Sequence, residues 1–194
     1  MIDSPYRPAR PADASPLAEL VNMAGEGLPL YLWTGMAEAG EAPWDVGFRR
    51  ARRESGSFSY SNAIVREDDG HVVAALIGYP LADEPESTDL SQMPPMFVPL
   101  QELEDLAPAT WYVNVLATYP EHRGKGFGSE LLTIAETLAA DTGRKGLSII
   151  VSDGNPGAVR LYLRSGYTEI ATRPMVKETW QNPGQNWVLL TKPV

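Results

Sequence analysis

Between Trp111 and Ala140 the hydrophobic pattern changes its period once. Trp111, Tyr112, Val113, Val115 and Leu116 form an apolar, aromatic and β-branched run that favours an extended strand, and Pro120 ends it. Phe127, Leu131, Ile134, Ala135 and Leu138 then recur at i, i+4, i+7, i+8 and i+11, the stripe of a helix laid on a sheet. Between the two, Gly124, Gly126 and Gly128 alternate with Arg123 and Lys125. The predicted order is strand, basic glycine loop, helix.

The same reading extends outward from this stretch. Tyr6 to Asp13 reads as a first strand broken by Pro8 and Pro11, followed by a helix with Leu17, Leu20, Val21 and Ala24 in its stripe and Asp13 or Ser15 as candidate cap. Leu28 to Glu54 carries Tyr31, Trp33, Trp44 and Phe48 and ends in a basic, helix-like run at Arg49, Arg50, Arg52 and Arg53, read as a solvated face. Phe58 to Arg66 and His71 to Tyr79 flank an Asp-Gly pair, which predicts an antiparallel hairpin. Pro80 to Pro99 is acidic and proline-rich without periodicity, either a functional lid or a mobile connection. Val98 to Leu106 suits a short helix, Gly146 to Val151 a buried strand and Asn155 to Ser165 a second helix ended by Gly166. Tyr167 to Met175 and Trp187 to Lys192 are the last two strands. There is no internal repeat, and residues 1–194 are expected to form one domain.

The start of the central helix suggests chemistry. Its first backbone N–H groups lack helical partners and the macrodipole adds partial positive charge, so an anion fits there. Glycines let the backbone approach a phosphate and turn successive amides into one concavity, while Arg123 and Lys125 add full charges. The plainer alternative is a turning loop with two solvated cations.

Composition narrows the field. A net charge of −9 and a pI near 4.7 oppose general affinity for nucleic acid or anionic membrane and weakly favour cationic partners. The absence of cysteine excludes a thiol nucleophile, a disulfide framework and a thiolate metal site, and fits a reducing compartment. The polar, proline-rich opening and the lack of a bilayer-length apolar run lead to the expectation of a cytoplasmic protein. A Rossmann G-x-G-x-x-G fails because Ser129 stands in the third place, and no Walker motif occurs. His71 and His122, far apart and without cysteine partners, give no expectation of a zinc centre.

Two signatures together resemble the GNAT superfamily, the GCN5-related N-acetyltransferases. Arg123-Gly124-Lys125-Gly126-Phe127-Gly128 is similar to the family's R/Q-x-x-G-x-G/A loop, approached by Leu116-Ala117-Thr118-Tyr119-Pro120. Asn155, Ala158, Leu161, Tyr162, Gly166 and Tyr167 are similar to its second signature. The resemblance covers most of Phe58 to Lys192 and leaves Gly27 to Glu54 and the connection before Pro99 unspecified. It implies an α/β (α+β) acyl-CoA N-acyltransferase fold, a mixed, bent, mostly antiparallel sheet of about six or seven strands flanked by helices, with acetyl-CoA as co-substrate. It further implies that the backbone of Leu116 and Thr118, with Ala117 between them, pairs with the pantetheine arm. The amides from Gly124 to Ser129, with the Arg123 and Lys125 side chains, would hold the diphosphate. Asn155, with Ala158 in the same turn, would bind the pantetheine portion, and Tyr162 would lie near the thioester sulfur.

An amine of pKa near 10 is neutral in roughly one molecule in a thousand at pH 7, so a base or a water chain must deprotonate it before attack. A backbone N–H near Leu116 is the expected oxyanion donor, Tyr162 the acid for the departing thiolate, and Asn114, on the strand face of Leu116, a group that orients water. Tyr162 also suits a plain core role. Glu102, Glu104 and Asp105 are weaker candidates for the base, and His122 is read as a loop contact. Without cysteine or a G-x-S-x-G elbow, transfer is expected to be direct in a ternary complex. The acceptor expected first is a small primary amine, with a protein N-terminus or lysine second. The oligomeric expectation is a monomer or homodimer. A different class, an acyl-CoA-binding sensor or scaffold, would carry the same groove, and a longer acyl chain is also compatible. Candidate acceptor walls are Tyr31, Trp33 and Trp44, the acids Asp83, Glu84, Glu86 and Asp89, and the Trp180 loop; the alternative is that the aromatics seal the core and the acids are solvated.

Overall fold

Seven strands and six α-helices form among residues 2, 4–85 and 88–194, which the computed structural model describes. The strand order is β1-β2-β3-β4-β5-β7-β6, a mixed sheet with helices around it, as expected of the acyl-CoA N-acyltransferase fold. The chain separates into two compact units, residues 1–78 with 114–134 and residues 79–113 with 135–194.

In the first unit, β1 (Tyr6–Pro8) pairs antiparallel with β2 (Ala63–Asp68), which pairs antiparallel with β3 (His71–Pro80). The predicted hairpin is present: Asp68 faces His71 across a two-residue turn in which Asp69 (φ 48°) and Gly70 (φ 78°) are both left-handed, the geometry an Asp-Gly pair supplies. Val73 to Gly78 are buried without alternation, so this strand is covered on both faces. The first strand is shorter than its sequence suggests, because Pro11 to Asp13 turn into a 3-10 helix. Asp13 stands at the N-cap of α1 (Ala14–Ala24) but does not cap it with its side chain. The carboxylate instead accepts from the Arg7 guanidinium at 2.7 Å and from the Arg10 amide at 2.7 Å.

The segment that the pattern left unspecified folds as two helices, α2 (Leu28–Met36) and α3 (Pro43–Ala51). Gly47 permits their close approach: a Cβ there would lie 2.5 Å from the Trp33 ring. Trp33 is 3% exposed, edge-on to Trp44 at 5.7 Å and stacked on Phe58 at 6.0 Å, so it belongs to the core and is not an open wall. The arginine run lies on α3 and just beyond it, with Arg49 paired to Glu41 at 3.0 Å.

The second unit holds α4 (Val98–Glu104), the beginning of β4 (Trp111–Thr118), β5 (Gly146–Ser152), α6 (Pro156–Arg164), β6 (Thr168–Pro174) and β7 (Asn186–Pro193). Trp111 to Val113 run parallel to Leu147 to Ile149, and β7 lies antiparallel between β5 and β6. Trp180 is buried and stacked on Trp187 at 6.1 Å, which removes it as an open wall of an acceptor site. Of the acids proposed for such a wall, Asp83 pairs with Arg144 at 2.8 Å, Asp89 caps the turn of Leu90–Gln92, and Glu86 lies outside the described residues. Among the described residues no helix is long and apolar enough to cross a membrane.

Candidate active site

β4 shows how alternation sorts one strand into packing and chemistry. Val113, Val115 and Ala117 are buried, whereas Asn114, Leu116 and Thr118 are half-buried on the opposite face. That face presents the candidate water-orienting residue and the two residues whose backbone is expected to meet an extended ligand.

Beyond β4, in the first unit, Tyr119 extends the strand by donating its amide to Val73 O at 3.0 Å, and Pro120–His122 form a 3-10 turn. Gly124 (φ 76°) and Gly126 (φ 91°) then adopt left-handed conformations that other L-residues enter at a cost of about 1–2 kcal/mol. A Cβ on Gly124 would meet nothing within 4 Å, so open space lies before the loop. Helix α5 (Phe127–Asp141) starts directly after it. Ser129 and Glu130 donate their amides to Gly126 O at 2.9 and 3.1 Å, so the Ser129 amide is committed within the first turn. A helix start of this kind is where backbone amides suit an anion.

The side chains of the loop divide the labour differently from a simple cationic cradle. Arg123 turns back, donating through Nε to Thr118 O at 3.1 Å and reaching Met23 Sδ at 3.1 Å, so it anchors the loop to the end of β4 and to α1. Lys125 is exposed, with Nζ 3.3 Å from His122 Nδ1. Phe127 is buried and acts as the floor: the Arg66 guanidinium lies 3.7 Å from its ring centroid and 5.3 Å from that of Tyr6. Arg66 is also 3.6 Å from Glu130, whose carboxylate accepts from the Tyr6 hydroxyl. Burial and that bond push the Tyr6 hydroxyl up to about 12. Tyr6, Arg66 and Glu130 were not legible as site residues, since their only sequence signal is an acid in the first turn of the helix. Together they fix that turn and set a cation against an acid that would otherwise oppose an anion there.

In the second unit, Asn155 is the N-cap of α6, its Oδ1 accepting from the Ala158 amide at 3.1 Å. This orients the carboxamide and occupies the Ala158 amide. Tyr162 is 4% exposed on the inner face of α6, with its ring 5.8 Å from that of Tyr167. Burial pushes its hydroxyl above the ordinary tyrosine range, so it stays protonated through neutral pH. Tyr112 and Tyr79 meet edge-on at 5.7 Å, and their hydroxyls are likewise raised by burial. Tyr112 also feels Tyr79, Glu104 and Tyr162, which places an aromatic, acid-edged cluster beside the candidate acid. Tyr79, Glu84, Gln101, Glu104 and Asp105 line a cavity of about 230 Å³. A tyrosine at the end of a strand carries no signal of such a cavity, so nothing in the sequence singles out Tyr79.

A family model described as the Acetyltransferase (GNAT) family matches residues 30–167. No curated protein sequence matches the chain. Among solved structures, one described as an acetyltransferase is 21% identical, with a TM-score of 0.67 over 97% of this chain and 98% of that one. An N-acetyltransferase from Staphylococcus aureus Mu50 is 21% identical, with a TM-score of 0.66 over 96% and 98%. Ard1 from Thermoplasma volcanium is 15% identical, with a TM-score of 0.60 over 97% and 96%. These likenesses establish the shared fold, and the family match covers well over half of the sequence: the chain belongs to the GNAT acetyltransferase family.

Proposed function

We propose that the protein is an N-acetyltransferase that moves the acetyl group of acetyl-CoA directly to a small primary amine. The observation that carries this reading is the pair of left-handed glycines, Gly124 and Gly126, at the start of α5, with open space before Gly124, in a chain of this family. Backbone amides at this turn, with Lys125, hold the diphosphate; the half-buried face of β4 takes the pantetheine arm along Leu116 and Thr118, and the family resemblance assigns the Asn155 carboxamide to the pantetheine portion.

The amine, stripped of its proton through water oriented by Asn114, attacks the thioester carbon. An oxyanion develops and is stabilised by a fixed backbone N–H near Leu116, because a donor already in place needs no reorganisation during reaction. The C–S bond then breaks as the attacking nitrogen gives its remaining extra proton to the same water; the thiolate takes the Tyr162 proton, which solvent restores. The Tyr162 hydroxyl is protonated at neutral pH, the form this step requires, and its burial makes it a weaker acid than a free tyrosine. The acidic cavity beside Tyr79, with Glu84, Glu104 and Asp105, supports a cationic acceptor, and the overall charge of −9 acts in the same direction.

The test is thiol release from acetyl-CoA across a panel of small amines, peptides with free N-termini and lysine peptides. Release stimulated by small amines and abolished in Tyr162→Phe is expected. Tight acetyl-CoA binding with no thiol release on any acceptor would replace the enzyme by an acyl-CoA sensor.

A further inference from the structure

One nitrogen in the glycine loop has two partners it cannot satisfy together. His122 Nδ1 lies 3.3 Å from Lys125 Nζ and 3.9 Å from Asp68 Oδ2. A neutral imidazole with its proton on Nε2 offers Nδ1 as an acceptor to the ammonium. A protonated imidazole carries N–H at Nδ1, which repels the ammonium and donates to the carboxylate. We propose that His122 is a proton-controlled latch on Lys125: neutral, it holds the ammonium back; protonated, it turns to Asp68 and releases Lys125 to the diphosphate of an acyl-CoA. The identity of that anion rests on the acyl-CoA reading above; the latch itself rests on the geometry of the three side chains.

Each part of the latch is anchored. His122 closes the 3-10 turn, its amide donating to Tyr119 O at 2.9 Å, and its side chain is 23% exposed. Asp68 is the last residue of β2 and is fixed by its pairing with His71. Lys125 is exposed and sits between the two left-handed glycines. The groups facing the imidazole are Asp68 and Asp69 from the hairpin, His71 from β3, and Tyr119 and Glu121 from its own turn, all lining one cavity of about 520 Å³. Glu19 of α1 reaches this group through the Tyr119 hydroxyl at 2.6 Å. Arg123, the other loop cation, is occupied by Thr118 O and Met23 Sδ, so Lys125 is the mobile charge that the histidine governs.

The direction follows from charge. Falling pH opens the latch and tightens anion binding, and rising pH closes it. Freeing one exposed cation should change the dissociation constant about fivefold between about pH 8 and about pH 5.5, the range over which histidine charge changes. The 3′-phosphate of CoA takes up a proton near pH 6 and opposes this trend, so the ligand for the test is 3′-dephospho-CoA, whose diphosphate stays fully ionised.

Calorimetry of 3′-dephospho-CoA with the full chain should give the fivefold tightening at low pH. The slope should vanish in both His122→Gln and Lys125→Gln. A flat wild type, or a slope that survives in Lys125→Gln, overturns the latch. A second readout needs no ligand: with His71→Gln removing the other imidazole, the NMR titration midpoint of His122 should rise in Lys125→Gln and fall in Asp68→Asn. Midpoints that move in neither variant overturn the latch even if acyl-CoA binds. Moving midpoints with no uptake of the nucleotide at either pH keep the latch, remove its anion and sink the acyl-CoA reading alone.

Discussion

Replacing Tyr162 by phenylalanine removes one hydroxyl and leaves the ring that packs against Tyr167 at 5.8 Å. The ring and its packing survive the change, so the loss of this one hydroxyl should alter stability by about 1 kcal/mol or less. Catalysis should respond very differently. A positioned general acid contributes roughly two to four orders of magnitude, or about 3–5 kcal/mol of barrier, so kcat should fall at least about 100-fold while the affinity for acetyl-CoA holds within about twofold. The pH profile carries the sharper sign. Burial raises the Tyr162 hydroxyl above 10.0, so the acid is present at neutral pH and is lost only as pH rises through that raised value. Wild-type turnover should therefore decline on the far alkaline side, and the variant should lack that limb. Thiol release at neutral pH measures the first effect, and extending it above about pH 10 tests for the alkaline limb. Full turnover with an unchanged profile in Tyr162→Phe would refute the assignment and return the residue to the core.

Three further outcomes are expected. Gly126→Ala places a Cβ only 3.7 Å from Glu130 Oε1, an ordinary contact, so its penalty is the left-handed φ of 91°; about 1–2 kcal/mol of strain should weaken acetyl-CoA binding roughly fivefold to thirtyfold by calorimetry, and Gly126→Asn should recover part of it. Arg66→Met removes the guanidinium from the Phe127 and Tyr6 rings and the cation from Glu130; denaturant unfolding should show a loss of about 1–2 kcal/mol, with weaker acetyl-CoA binding in the same variant. The hydroxyls of Tyr79, Tyr112, Tyr162 and Tyr167 are all raised by burial, so their contribution to stability is fully present below pH 10.0 and is lost as pH rises through the folded values. Denaturant midpoints measured on either side of that pH should fall on the alkaline side, and a constant midpoint would contradict the burial of these groups.

The parts of the fold that were legible in the sequence share a local cause. The Asp-Gly hairpin, Gly143 in the left-handed position after α5 (φ 67°) and the α6 stop at Gly166 (φ 88°) are each set by one residue's backbone preference. The change of period between β4 and α5 needs no partner to be seen. What escaped depends on contacts distant in sequence. Asp13 resembles a helix cap until Arg7 claims its carboxylate, and Trp33 resembles a pocket wall until Gly47 lets a helix close over it. Arg123 and Lys125 look alike in the motif, yet Thr118 O and Met23 occupy one and His122 touches the other. The candidate site divides in the same way. Its glycines and the N-cap Asn155 follow from local geometry, whereas Arg66 under Phe127, and Tyr112 against Tyr79, come from contacts between elements distant in sequence that no motif encodes.

The central claim is that the main chain at Gly124 to Gly128 grips the diphosphate of acetyl-CoA. Titrating the purified chain with acetyl-CoA in a calorimeter tests it most directly. Saturable uptake that CoA displaces and that Gly126→Ala weakens is the expected result; no heat of binding up to millimolar ligand would show that this main chain does not hold the diphosphate.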